Sequence, residues 1–166
     1  FFDDFYRGEV IHPIAKVRQN VANAGDKEEF IVLMCTGSYC PVHLEHIRMF
    51  EVIKKLFEEE RGKCVVGGYL FPSHDNYVKS KMEKKGSLHI SGFHRWKMIE
   101  KALKNSSWLE ADAFEVSQRF SVMATMTFNS LQHYLREKVD NRIKVVYVCG
   151  ADLAFTQQLY VGERTM

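Results

Sequence analysis

The feature that most constrains this chain is a change of period inside one stretch, residues 30–57. Residues 30–35 form an unbroken apolar run, too short for an independent helix and followed at once by Thr36-Gly37-Ser38, the pattern of a strand buried on both faces. Beyond Pro41, the apolar residues Leu44, Ile47, Phe50, Ile53, Leu56 and Phe57 recur at helical spacing, with Glu45, Arg48, Glu51 and Lys54 on the other face. Strand, tight loop and helix therefore follow one another. Gly37 is expected to let the backbone come close to a ligand, and Pro41 to prepare the first helical turn. His43 and His46 then share one face at the helix start, where free N–H groups and the macrodipole attract phosphate.

A histidine pair at this spacing has plainer readings, as a solvated or core-packed pair. A metal site is weaker still, because no third Cys, His or carboxylate stands at ligand spacing. Charge does not decide between them: 23 basic and 21 acidic residues leave a net +2, which gives no footprint for nucleic acid or an anionic membrane. With 46% hydrophobic and 27% charged residues, 166 residues fit one globular domain. No stretch reaches the roughly 18 to 20 apolar residues of a membrane span, so the expectation is a soluble intracellular protein, nuclear or cytoplasmic. Cys35, Cys40, Cys64 and Cys149 show no Cys-x-x-Cys spacing, which suits reduced thiols.

The rest of the chain repeats the alternation of strands and helices. Residues 1–28 are expected to be an extension that packs on the domain, with a helix around 14–24, and residues 29–166 the domain itself; the start at Phe1 suggests missing natural sequence. Gly62 is a candidate helix cap, 64–71 a second strand, and Gly67-Gly68 a close backbone approach. Pro72-Ser73-His74-Asp75 is expected to open a loop in which Tyr77 lies among Lys79, Lys81, Lys84 and Lys85. That mixture suits a phosphate and is also common on solvated loops. A helix from Ser91-Gly92 carries Trp96, Ile99, Ala102 and Leu103 on one face; Trp108 and Phe114 are expected in the core. A further helix is expected over 130–138, and a buried strand over 143–149 that runs into Gly150-Ala151-Asp152. Glycine and aspartate there suit the crevice at the carboxyl ends of parallel strands, where open α/β sheets bind ligands.

Several of these segments fall in register with one family. The run from Gly37-Ser38-Tyr39 through Pro41 to His43 and His46 resembles the signature Gly-x-Phe-x-Pro followed by (His or Thr)-x-x-His of nucleotidyltransferases. Gly68-Tyr69-Leu70-Phe71-Pro72 with Asp75-x-Tyr77-x-Lys79, His94-Arg95 with Met98, Asn105-Ser106-Ser107-Trp108, and Cys149-Gly150-Ala151-Asp152 resemble the eukaryotic nicotinamide mononucleotide adenylyltransferases in the same order. The resemblance covers residues 30–155. It implies a Rossmann-like, doubly wound α/β domain with a parallel sheet and helices on both faces. It also implies adenylyl transfer from ATP to nicotinamide or nicotinate mononucleotide, giving NAD or deamido-NAD and pyrophosphate, with Mg2+ carried by the ATP phosphates.

By the same resemblance, Gly37, Ser38, Tyr39, His43, His46, Gly150 and Asp152 would meet ATP, with His43 and His46 in the catalytic role. Ser38, Tyr39, Tyr77, Lys79, Phe120, Thr125, Leu159 and Tyr160 would meet the mononucleotide; residues 118–128 align in more than one register, Phe120 and Thr125 being the nearest aromatic and hydroxyl. The family's Ile-Ser-x-Thr-x-x-Arg motif has no match before Met166, so the domain is expected to be incomplete at its C-terminal side. Two other readings stay open: another transferase of this superfamily with a different phosphorylated acceptor, and a non-catalytic nucleotide-binding or chaperone-like module. A dehydrogenase-type fold is disfavoured, because Gly-x-Gly-x-x-Gly is absent. The oligomeric state, a homo-oligomer included, is left open.

Overall fold

The computed structural model describes residues 11–150. Its elements run α1 (Ala15–Ala24), β1 (Phe30–Gly37), α2 (Leu44–Lys55, continued by a π-helical turn at Leu56–Glu60), β2 (Cys64–Pro72), α3 (Asp75–Lys84), α4 (Gly92–Ala102), β3 (Leu109–Ala111), α5 (Phe114–Ser117), α6 (Ala124–Lys138) and β4 (Ile143–Tyr147). The four strands pair in parallel in the order β3-β2-β1-β4, which sets the apolar run at the centre of the sheet.

A strand in that place must be apolar on both sides, and the two cores show it. Ile31 and Leu33 pack with Phe50, Leu70, Ile99 and Trp108 on one face, under α2 and α4. Val32 and Met34 pack with Val17, Phe71, Leu131 and Leu135 on the other, under α1 and α6. The expected doubly covered parallel sheet is therefore present. The chain order reverses direction between β1 and β4, so the crevice of a doubly wound sheet opens between the ends of those strands.

The N-terminal helix is built into this frame. Tyr69 Oη donates to Pro13 O at 2.6 Å, and Lys16 Nζ donates to Leu109 O at 2.7 Å on the edge strand. Buried His12 bridges Asp112 Oδ2 (2.7 Å) and Ser130 Oγ (2.9 Å), among the rings of Phe71, Phe114 and Tyr134. Hydrogen bonds and ring packing thus tie residues 12–16 to β3, α5 and α6. Cys35, Cys40, Cys64 and Cys149 are free thiols. No helix among the described residues is long and apolar enough to cross a membrane.

Four local expectations are corrected. Pro41 does not open α2: it lies in a turn after a cis peptide bond, while His43 is extended (φ −142°, ψ 171°) and is the N-cap of a helix that begins at Leu44. The lysine-rich segment after Pro72 is helix α3 and not a loop, because His74 caps it, Asp75 sits in its first turn, Lys81 and Lys84 in its last, and Val78 and Met82 bury one face. Helix α6 begins at Ala124, ahead of the expected 130, with Thr127 buried in its first turns. On α4, Ala102 is exposed, and the buried stripe runs Gly92, Arg95, Ile99 instead.

Gly67 and Gly68 confirm the expected close approach. A register shift in the β1–β2 ladder between Ile31 and Val32 turns Gly67 toward α1, where a Cβ would lie 2.4 Å from Val17 Cγ2. A Cβ on Gly68 would lie 2.6 Å from Leu109 Cδ2 and 3.0 Å from both Phe50 and Trp108. Val17 is β-branched in a helix and has little rotamer freedom to give way. Gly67→Ala is therefore expected to destabilise the fold by about 1–3 kcal/mol in denaturant unfolding. In a Val17→Ala background the added cost of Gly67→Ala is expected to shrink; an unchanged cost would show that the contact with α1 does not set it.

Candidate functional site

The end of β1 and the start of α2 are joined by a loop with one unusual residue. Tyr39 has φ +42°, the left-handed region that non-glycine residues rarely occupy, a strain of the kind that gathers at functional sites. Its ring folds back over Gly37, where a Cβ would come within 3.1 Å of it, and packs edge-on against His46 at 4.8 Å. Tyr39 Oη donates to Cys35 O at 3.3 Å, and the residue is only 2% exposed. Burial pushes the phenol well above its ordinary range and the Cys35 thiol up to about 11, so both stay neutral. The space beside Gly37 is thus filled by Tyr39, and Ser38, half-buried between them, has its carbonyl held by Arg95 Nη1 at 2.8 Å. Ser38 Oγ is buried and has no hydrogen-bond partner. An orphaned buried hydroxyl calls for a partner, which an ordered water or a ligand atom can supply.

His43 and His46 sit at the N-cap and third position of α2, with rings stacked at 3.7 Å between centroids. His46 N donates to His43 O (3.1 Å), and His43 N donates to His46 Nδ1 (3.1 Å). Because Nδ1 is an acceptor, the neutral ring carries its proton on Nε2. Burial, helped by the neighbouring His43, lowers the His46 pKa to about 4. His46 is therefore a neutral Nε2–H donor at pH 7, fixed at a helix N-terminus.

The loops that follow β2 and precede α4 gather around the same strand ends. Ser73 N donates to Gly37 O at 2.8 Å. His74 accepts from Asn76 N (3.2 Å) and its Nε2 donates to Gln118 O (3.0 Å), which brings in the segment containing Phe120. Asp75 Oδ1 accepts from Gly92 N (2.7 Å), Arg95 Nη2 (2.9 Å) and His89 Nε2 (3.0 Å). These bonds hold the Asp75 carboxyl below its ordinary value in spite of burial, which works the other way as the largest single influence.

The remaining expected residues are placed as follows. Tyr77 (53% exposed) and Lys79 stand on the exposed side of α3, with Lys81 Nζ 5.9 Å over the Tyr77 ring. Phe120 is 76% exposed, and Thr125 is exposed at the start of α6. Gly150 follows β4 as the last described residue and is exposed. Asp152, Leu159 and Tyr160 lie outside the described residues. No group of three His, Cys, Asp or Glu among the described residues could hold a metal ion. A separate cavity of about 300 Å³ is lined by Ile11, Lys16, Trp96, Glu100, Glu110 and Ala113, none of them an expected site residue.

Sequence reasoning missed the buried polar layer beneath the loops. Arg95 is 0% exposed, and Asp112, Glu115, Ser117, Ser73, His74 and Thr127 are buried with it. The signal was available for Arg95: it stands on the otherwise apolar stripe of α4, four residues before Ile99. Trp108 is in the core as expected, and its Nε1 also donates to Glu51 Oε1 at 3.1 Å.

Burial raises the Glu115 pKa to about 7, although hydroxyls of Ser73 and Thr127 and the Arg95 charge favour its ionised form. Since the folded pKa lies above the unfolded one, this group's contribution to stability is complete below about pH 4.5 and is lost as pH rises through about 7. Glu115→Gln is therefore expected to gain stability relative to the parent across that window, on the order of 2 kcal/mol. Urea unfolding from pH 4.5 to 8 measures the difference; a flat difference would contradict the buried, proton-holding carboxyl.

Similarity to known proteins shows the family of the chain. The model of the cytidylyltransferase-like family matches residues 34–160. The chain is 31% identical over 144 residues to the nicotinamide/nicotinic acid mononucleotide adenylyltransferase of Oryza sativa subsp. japonica, covering 85% of this chain and 55% of that protein. It is 32% identical over 133 residues to the nicotinamide/nicotinic acid mononucleotide adenylyltransferase 1 of Saccharomyces cerevisiae, covering 80% of this chain and 31% of that protein. With the corresponding protein 1 of Bos taurus, identity is 36% over 118 residues, covering 71% and 38%. The chain spans about half the length of the rice relative and about a third of the yeast and bovine ones. The family match runs from the second half of β1 through the histidine pair and every later described strand, and this chain belongs to the cytidylyltransferase-like family.

Proposed function

We propose that the protein transfers the adenylyl group of ATP to nicotinamide or nicotinate mononucleotide, forming NAD or deamido-NAD and pyrophosphate. The observation that carries the reading is the end of β1. A strained loop there leaves the Ser38 hydroxyl without a partner and delivers two histidines to the N-terminus of α2. The names of the rice, yeast and bovine relatives support the same substrates.

In the reaction a 5′-phosphate oxygen of the mononucleotide attacks the α-phosphorus of ATP, and the bond to the bridging oxygen of pyrophosphate breaks. Such a step asks the protein for positioning and for donors aimed at developing charge, with no covalent enzyme intermediate. His46 Nε2–H is a neutral donor held in place by the His43 backbone, and the free N–H groups of the first turn of α2 add a fixed positive potential. His43 stacks on His46 and limits its rotation. Ser38 Oγ, Tyr77 and Lys79 supply the mononucleotide side, Gly150 and Asp152 the ATP side beyond β4. A magnesium ion would enter bound to phosphate oxygens, whose charge it would partly neutralise. The Lys79 ammonium is a mobile point charge on α3, suited to a phosphate that must leave again as product.

Steady-state formation of NAD from ATP and the mononucleotide tests the assignment. His46→Ala is expected to slow turnover on the order of 10²-fold or more while the fold is retained. Lys79→Ala is expected to raise KM for the mononucleotide more than KM for ATP. Near-normal turnover by the His46 variant would remove the histidine from the reaction, and equal effects of Lys79→Ala on both substrates would remove the lysine from the mononucleotide.

A further inference from the structure

The guanidinium of Arg95 is the largest fully buried polar group among the described residues, and it makes four hydrogen bonds to three separate pieces of chain. Nε donates to Ile90 O (2.9 Å), Nη1 to Ser38 O (2.8 Å), and Nη2 to both Ser73 O (2.7 Å) and Asp75 Oδ1 (2.9 Å). Ser38 follows β1 and Ser73 follows β2; Asp75 begins α3, and Ile90 precedes α4. Stability alone is a poor account of such a group, because an apolar side chain of similar volume in a buried charge site is often as stable or more so. What only a planar five-donor fork supplies is a fixed angle between its acceptors.

We propose that Arg95 is a positioning residue for the mononucleotide: it fixes Ser38, Ser73 and Asp75 in one frame, so that the Ser38 hydroxyl and the α3 side chains Tyr77 and Lys79 address the same ligand. The inference rests on the functional reading above. Ser38 Oγ, the orphaned hydroxyl, belongs to the residue whose carbonyl Arg95 holds. The first turn of α3, which carries Tyr77, starts at the carboxylate that Arg95 holds. The frame has no slack. Asp75 Oδ1 also receives Gly92 N at 2.7 Å, and a Cβ on Gly92 would stand 2.0 Å from Val116 Cγ2 and 3.3 Å from Arg95 Nη2. None of the four acceptors lies on α2, so the histidine pair is outside the frame.

This separation gives the test. Arg95→Lys keeps a cation for Asp75 but cannot span the Ser38 and Ser73 carbonyls. It is expected to raise both the calorimetric Kd and the KM for nicotinamide mononucleotide by roughly tenfold or more, and to change KM for ATP by less than about threefold. If Arg95 acts through Ser38, then Arg95→Lys in a Ser38→Ala background loses part of that effect, a coupling that a merely structural role would not produce. Should Arg95→Lys fail to fold, Asp75→Asn, which keeps the shape of the partner and weakens the fork, is expected to show the same split at smaller size. Equal changes for both substrates, a fully additive double variant, or unchanged mononucleotide affinity in a folded Arg95→Lys or Asp75→Asn would overturn the proposal. Failure of the parent protein to bind the mononucleotide at all would instead overturn the functional reading and this inference with it.

Discussion

Everything in this structure depends on β1 being paired on both edges and covered on both faces. Its residues match Cys64 to Pro72 of β2 on one side and Ile143 to Tyr147 of β4 on the other. Burial of a whole strand has a large hydrophobic return, but it forbids any polar side chain along its length until the sheet ends. The first polar side chains, Thr36 and Ser38, therefore appear where the strand leaves the core, together with the loop that turns into α2. The site lies at the carboxyl end of the sheet because that is where a doubly covered strand is first allowed to be polar.

Beneath that rim the electrostatics are divided into two layers. The outer layer pairs the exposed Lys79 ammonium with a neutral donor, His46, which holds its proton on one nitrogen and which burial keeps from becoming a cation. The inner layer is charged but enclosed, with Arg95 set among three carbonyls and the Asp75 carboxylate. The enclosed Arg95 cation fixes backbone geometry without meeting solvent. Under both layers lie the tight glycine contacts on β2, where Gly68 lets Leu109, Phe50 and Trp108 close one face and Gly67 lets α1 close the other.

Much of this was legible in the residues. The apolar run at 30–35, its glycine, and the histidine pair gave strand, turn and helix in order, since each rests on local period and on one pattern of side chains. Gly67-Gly68 also announced a close approach that the structure contains. What escaped was decided by tertiary contact. The lysines of α3 hid its amphipathic face, because only Val78 and Met82 point inward. The start of α2 was misplaced because Pro41 suits a first helical turn, whereas the extended backbone of His43 makes the cap. Arg95 reads only as part of the His94-Arg95 and Met98 pattern, because Ser38, Ser73 and Asp75, which surround it, are distant in sequence. No local rule connects those positions.

In the proposed reaction the start of α2 receives the triphosphate through His46, a histidine that is neutral at pH 7 in the free protein. Side-chain ¹⁵N NMR of His46 during titration with ATP tests it directly. In the free protein at pH 7 the ring is expected to show one protonated nitrogen, Nε2, and a pKa near the low value of about 4 set by its burial. Negative charge beside the ring favours its protonated form, so saturation with ATP is expected to raise that pKa and shift the Nε2 resonance. A His46 ring whose resonances and pKa stay unchanged while ATP binds would contradict the account.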